Sequence, residues 1–81
     1  MQHLSYRDHY IVASGSFDEL TRNYYPVASI SWGKKYGPGH VHTIRNAPDR
    51  RETREEACNL AVELAKAWID RKLSPHEPSE D

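Results

Sequence analysis

Histidine is the side chain best suited to chemistry in this chain, and five of them occur in 81 residues. His40 and His42 stand one residue apart in His-Val-His-Thr-Ile, a stretch that reads as a strand. Side chains alternate across a strand, so the two imidazoles share one face, the geometry a pair of metal ligands requires. His9, on a neighbouring strand, would be a third ligand. The surroundings argue against a metal centre: no carboxylate or cysteine pair stands at ligand spacing, and there is no His-Glu-x-x-His. These histidines then read as strand residues on the solvent face, and neither a metal nor a cofactor is expected. Cys58 would need a positive, partly exposed setting to act as a nucleophile. With Glu55 and Glu56 nearby and Leu and Val around it, it reads as a small buried hydrophobe. No nucleophile elbow, P-loop or dinucleotide fingerprint occurs. No catalytic residue is expected, and the chain reads as a non-enzyme.

A second chemistry is suggested by charge. Lys34, Lys35 and Tyr36 lie in Gly-Lys-Lys-Tyr-Gly-Pro-Gly, a turn rich in breakers that would project them. Arg45, Arg50, Arg51 and Arg54 follow. Basic side chains neutralise phosphates and a tyrosine stacks on bases, so Lys34, Lys35, Tyr36, Arg50 and Arg51 are candidate nucleic-acid contacts. Against this, the net charge is -1, because acidic residues dominate from Glu55 to Asp81. Nucleic-acid binders usually carry a clear positive excess, and no helix-turn-helix, zinc-finger or RNP-like motif occurs.

The elements that would position these residues follow from periodicity. Tyr6 to Ser14 reads as a strand, and Gly15 to Asn23 as a polar connection with a capping-box lookalike at Ser16 and Glu19. Tyr24 to Trp32 reads as a second strand, with Ala28, Ile30 and Trp32 on one face and Ser29 and Ser31 on the other. Pro26 cannot donate to a ladder, which places it at that strand's start or on an edge. His40 to Asn46 is a third strand; Val41 and Ile44 have opposite parity, so either a short strand or a bulge, which could split the sheet, is expected there.

The strongest signal is the helix from Thr53 to Leu73. Thr53 and Glu56 form a capping box, Glu55 and Glu56 complement its positive end, and Arg71 and Lys72 its negative end. Pro75 stops it at Ser74. At about 100° per residue, Ala57, Leu60, Ala61, Leu64 and Trp68 make one apolar stripe. Cys58, Val62, Ala65 and Ile69 make a second beside it. The first stripe is expected to cover the sheet, with Trp68→Ala costing about 3–5 kcal/mol. The second either packs on the loop around Phe17 and Leu20 or inside a curled sheet, or makes a partner or dimer contact through Val62 and Ile69. The expected fold is α+β: a three-stranded antiparallel sheet covered by one C-terminal helix. Its core candidates are Ile11, Val12, Ala28, Ile30, Trp32, Ile44, Ala57, Leu60, Ala61, Leu64, Ala65 and Trp68.

Length and composition bound the rest. One domain is expected over residues 1–73, followed by an acidic, proline-containing tail over 74–81 that reads as disordered. A single cysteine fits a reducing compartment, and no apolar run is long enough to span a membrane, so a cytoplasmic location is expected. The strand-strand-strand-helix plan, with its helix opened by Thr53-Arg54-Glu55-Glu56-Ala57, resembles the small antitoxins of the HicB type. That resemblance implies a toxin-binding role, although the family's proline-glycine segment after the second strand is absent. The run Ala65 to Asp70, AKAWID, resembles the helix end of short uncharacterised proteobacterial proteins, some encoded in prophage gene clusters. The function expected is a non-catalytic protein-interaction or accessory module acting on an unidentified protein or on itself. The alternative is a regulatory nucleic-acid-binding or antitoxin-like protein using the basic region 33–54.

Overall fold

Alternation of small apolar and polar residues through the first half of the chain builds one antiparallel sheet, and the capped amphipathic segment closes over it. The computed structural model describes residues 1–33 and 39–74. Its elements are β1 (Gln2–Tyr6), β2 (His9–Asp18), β3 (Asn23–Gly33), β4 (Gly39–Ile44) and α1 (Arg54–Leu73). The strands lie in sequence order in a single sheet. The α+β class and the C-terminal helix are as expected; the count of three strands and the split sheet are corrected. Lys34, Lys35, Tyr36 and the acidic tail beyond Ser74 lie outside the described residues.

The additional strand comes from the N-terminus. Tyr6 pairs with His9, so β1 and β2 are joined by a two-residue turn, Arg7-Asp8, with φ of 50° and 67°. Both positive φ values fit a type I′ turn, whose twist matches the flanking strands. The supposed connection after Ser14 instead extends β2 to Asp18, paired with Asn23. Asp18 Oδ1 accepts from the Leu20 amide at 3.0 Å and orders the loop that follows.

Pro26 sits well inside β3, paired with Gly15, rather than at a strand end. The register explains how a central strand tolerates it. Tyr24 exchanges two 2.8 Å bonds with Arg51 on the β4 side of β3, and Ala28 pairs there with Ile44. Alternate residues of a strand point their backbone groups to the same side. The missing Pro26 amide therefore falls in the gap between the Arg51 bridge and the end of β4, where no partner is lost. β4 itself pairs with β3 residue for residue from Gly33↔Gly39 to Ala28↔Ile44, so no bulge forms near Val41. Val41 simply faces away from the helix and is exposed.

Of the expected capping box, the helix start carries the hydroxyl half: Thr53 Oγ1 accepts from the Glu56 amide at 3.1 Å. Its end is closed by Ser74, whose amide and hydroxyl both donate to the Asp70 carbonyl. The face it lays on the sheet differs from expectation. Ala57, Cys58, Ala61, Ala65 and Ile69 are buried, against Ile11, Ala13, Ala28 and Ile30 of β2 and β3. Leu60 and Leu64 are only half-buried, and Trp68 packs from the side. Small residues let the helix axis approach the sheet, so alanines occupy the seam and the larger side chains reach over the flank. Val12, a core candidate, lies half-buried on the opposite side of the sheet from Ile11 and Ala13.

A candidate binding groove between the edge strand and the helix

Pairing of Trp32 with His40, and of Ile30 with His42, brings both histidines to the helix side of the sheet, not to the solvent side. There they serve as aromatic surfaces. His42 stacks on Trp68 with centroids 4.2 Å apart and an 8° interplanar angle. His40 stacks on Trp32 at 5.4 Å, and the two indoles meet at 5.4 Å. His9 is buried beside Trp32 and makes two ring hydrogen bonds. The Arg7 carbonyl can only accept, so Nδ1 carries the hydrogen that bridges their 2.8 Å separation. Lys72, as an ammonium, can only donate, so His9 Nε2 accepts from its Nζ at 2.9 Å. The same ammonium lies 3.5 Å from the Trp32 ring centroid, a close cation–π contact. The three imidazoles are thus parts of a packed aromatic wall. Among the described residues, no group of three or more His, Cys, Asp and Glu side chains is placed to hold a metal ion.

This wall ends at a cleft. The helix crosses β2 and β3 and only brushes β4. Between β4 and the helix flank a groove of about 290 Å³ remains. Its apolar floor is the half-buried Ile44, Leu64 and Trp68, and the exposed Arg45, Asn46, Ala67 and Arg71 stand at its rim. Among the described residues, no strand pairs with the outer edge of β4 beside it. Ala28, Ile30 and Trp32 face β4 through their pairs Ile44, His42 and His40, so the intervening Val41 and Thr43 turn their N–H and C=O groups outward. Leu64 and Trp68 are visible in the sequence as apolar helix residues. That they border a groove depends on how close the alanine seam sits.

The residues first suspected of function are distributed differently. Ile69 is wholly buried in the chain's own core and Val62 packs half-buried against it. The helix side expected to meet a partner is therefore the side that covers the sheet, and the contact through Val62 and Ile69 is corrected accordingly. Arg50 is committed within the fold: Nε pairs with Asp18 Oδ2 at 2.8 Å, and Nη1 donates to the Ala47 and Asp49 carbonyls. This clamp fixes the loop ahead of the helix and leaves Arg50 a poor phosphate ligand. Arg51 anchors the same loop through its backbone pair with Tyr24, and its guanidinium donates to the Arg50 carbonyl. Cys58 is buried, as expected, and its thiol donates to the Ala13 carbonyl at 3.3 Å.

Two carboxylates are held by cationic partners. The Arg7 guanidinium, donating at 2.8 Å, and the Tyr6 hydroxyl pull the Asp70 carboxyl below the usual range; the Asp70 carboxylate in turn raises the Tyr6 phenol. Arg50 and the Leu20 amide lower Asp18 in the same way. A depressed folded-state value means the native state binds fewer protons than the unfolded chain. The stabilisation is therefore complete above the unfolded carboxyl pKa of about 4 and is lost as pH falls below it. Thermal melts of wild type and Asp70→Asn should differ at neutral pH and converge in acid. A gap that persists unchanged in acid would contradict this assignment.

Comparison with protein-family models, curated proteins and solved structures finds no match for this chain.

Proposed function

We propose that this chain is a non-catalytic protein-interaction module that receives an extended segment of a partner in the groove between β4 and α1. The observation that carries this reading is an open strand edge lying beside an apolar groove. An incoming strand would gain backbone hydrogen bonds from Val41 and Thr43 and place alternate side chains on Leu64, Ala67 and Trp68. The run from Gly39 to Ile44 suits that pairing, because it lacks the lysines and prolines that natural edges use to repel strands. The commitment of potential reactive groups supports a binding role. His9 is engaged at both nitrogens, the Cys58 thiol is buried, and Asp18 and Asp70 are ion-paired. An antitoxin-like role is the case in which the partner is a toxin, and the reduced, buried thiol suits a cytoplasmic setting.

The test is selection of 12-residue peptides from a random display library against the full chain (a length chosen to exceed the strand, about 3.3 Å per residue). Enriched peptides should bind wild type and lose at least about tenfold in affinity for Leu64→Lys, a loss of about 1.4 kcal/mol. Leu64 is half-buried on the flank, so this variant should still melt cooperatively. Failure to enrich any peptide, or enriched peptides indifferent to Leu64→Lys, would overturn the proposal.

A further inference from the structure

We infer that the segment received in the groove is acidic, its carboxylates held by Arg45 and Arg71; this rests on the groove being the binding site. The residues lining it include two arginines and His42, and no aspartate or glutamate. Arg45 directly follows the edge strand and Arg71 lies in the last helix turn, so the fold brings two arginines far apart in sequence to one groove. Three of the other arginines are engaged within the fold, and Arg22 and Arg51 do not line the groove. Arg7 pairs with Asp70 and Arg50 with Asp18, each at 2.8 Å, and Arg54 lies over the Tyr24 ring. Among the described residues, neither Arg45 nor Arg71 has an ion-pair partner. A guanidinium offers a planar fork of donors that fits a carboxylate with two parallel bonds, so the rim selects by geometry as well as by charge.

A nucleic acid would also bring negative charge, but the groove fits it poorly. Single strands bind largely by stacking bases on exposed aromatic faces. Here the Trp68 ring is stacked by His42 at 4.2 Å and flanked by Trp32, and the Trp32 ring carries the Lys72 ammonium. The cleft of about 290 Å³ takes one or two side chains, not a duplex. An extended acidic peptide satisfies all of its parts: the outward backbone of β4, the apolar floor and the two rim arginines.

The experiment compares two capped peptides of alternating valine and threonine, one with two central glutamates and the other with glutamines in their place. Both are titrated into the full chain at about 50 mM salt, where charge pairing is weakly screened. The glutamate peptide should bind about tenfold tighter, as expected of charge-assisted over neutral hydrogen bonds. It should shift the amide signals of residues 42–47 and 64–71. The advantage should vanish in Arg45→Gln/Arg71→Gln, whose changes are confined to exposed side chains and leave a cooperative melt that shows the variant folded. Equal binding of the two peptides at the groove would overturn the acidic preference while leaving the groove as the binding site. Groove shifts produced by a single-stranded oligonucleotide but not by the glutamate peptide would assign the arginines to phosphate and overturn it as well. If library-selected peptides also fail to reach the groove, the underlying proposal fails with it.

Discussion

Replacing Ile69 by alanine is expected to cost about 2–5 kcal/mol, the range for truncating a large aliphatic side chain in a core that cannot fully collapse around the gap. Ile69 is among the largest wholly buried side chains, together with Ile11, Ile30 and Pro26. Domains of this kind hold roughly 0.05–0.15 kcal/mol per residue, so one substitution removes a large share of the total. Leu64→Ala should cost much less, because Leu64 is half-buried on the helix flank. Urea unfolding midpoints of the two variants give the comparison. A Leu64→Ala variant less stable than Ile69→Ala would mean that the other stripe lies on the sheet.

The second large effect is expected at Gly15. A Cβ built there would lie 2.6 Å from the Arg54 carbonyl oxygen and 2.9 Å from the Ala57 Cβ. Neither neighbour is the end of a flexible side chain, so the helix start must lift off β2 to make room. Overpacking of this kind typically costs about 1–3 kcal/mol, and a clash with backbone belongs at the upper end. Gly15→Ala should therefore lower the melting temperature well below wild type. A melting temperature equal to wild type would show that the helix does not sit this close to the sheet.

Those two positions explain what the sequence made legible and what it hid. The helix, its Thr53 cap and its stop before Pro75 are local events, governed by residues a few positions apart, and they are as read. The face pattern of Ala28, Ile30 and Trp32 is equally local and holds. The orientation of the helix on the sheet is not local. The apolar stripe placed Leu64 and Trp68 over the sheet, but Gly15, Ala57, Ala61 and Ala65 permit an approach that brings Ile69 inward and leaves the bulky residues at the rim. The first strand was hidden because its turn, Arg7-Asp8, lacks the Asn-Gly or Asp-Gly signature of type I′ hairpins. The extension of β2 was hidden because Gly15 to Asn23 is polar and reads as a connection, whereas Gly15 lies against the helix start. The candidate groove was beyond reach for the same reason: Arg45 and Arg71 gain a common role only once the helix position is known. Arg50 shows the converse, a residue whose charge suggested an external ligand and whose partner, Asp18, is internal.

Amide hydrogen exchange along β4 tests the account most directly. In the free protein, His42 and Ile44, whose backbones face β3, should exchange slowly, and Val41 and Thr43, which face outward, should exchange fast. With a selected peptide bound, Val41 and Thr43 should slow by at least about tenfold while His42 and Ile44 change little. Unchanged exchange at Val41 and Thr43 in the bound state would contradict strand addition at this edge.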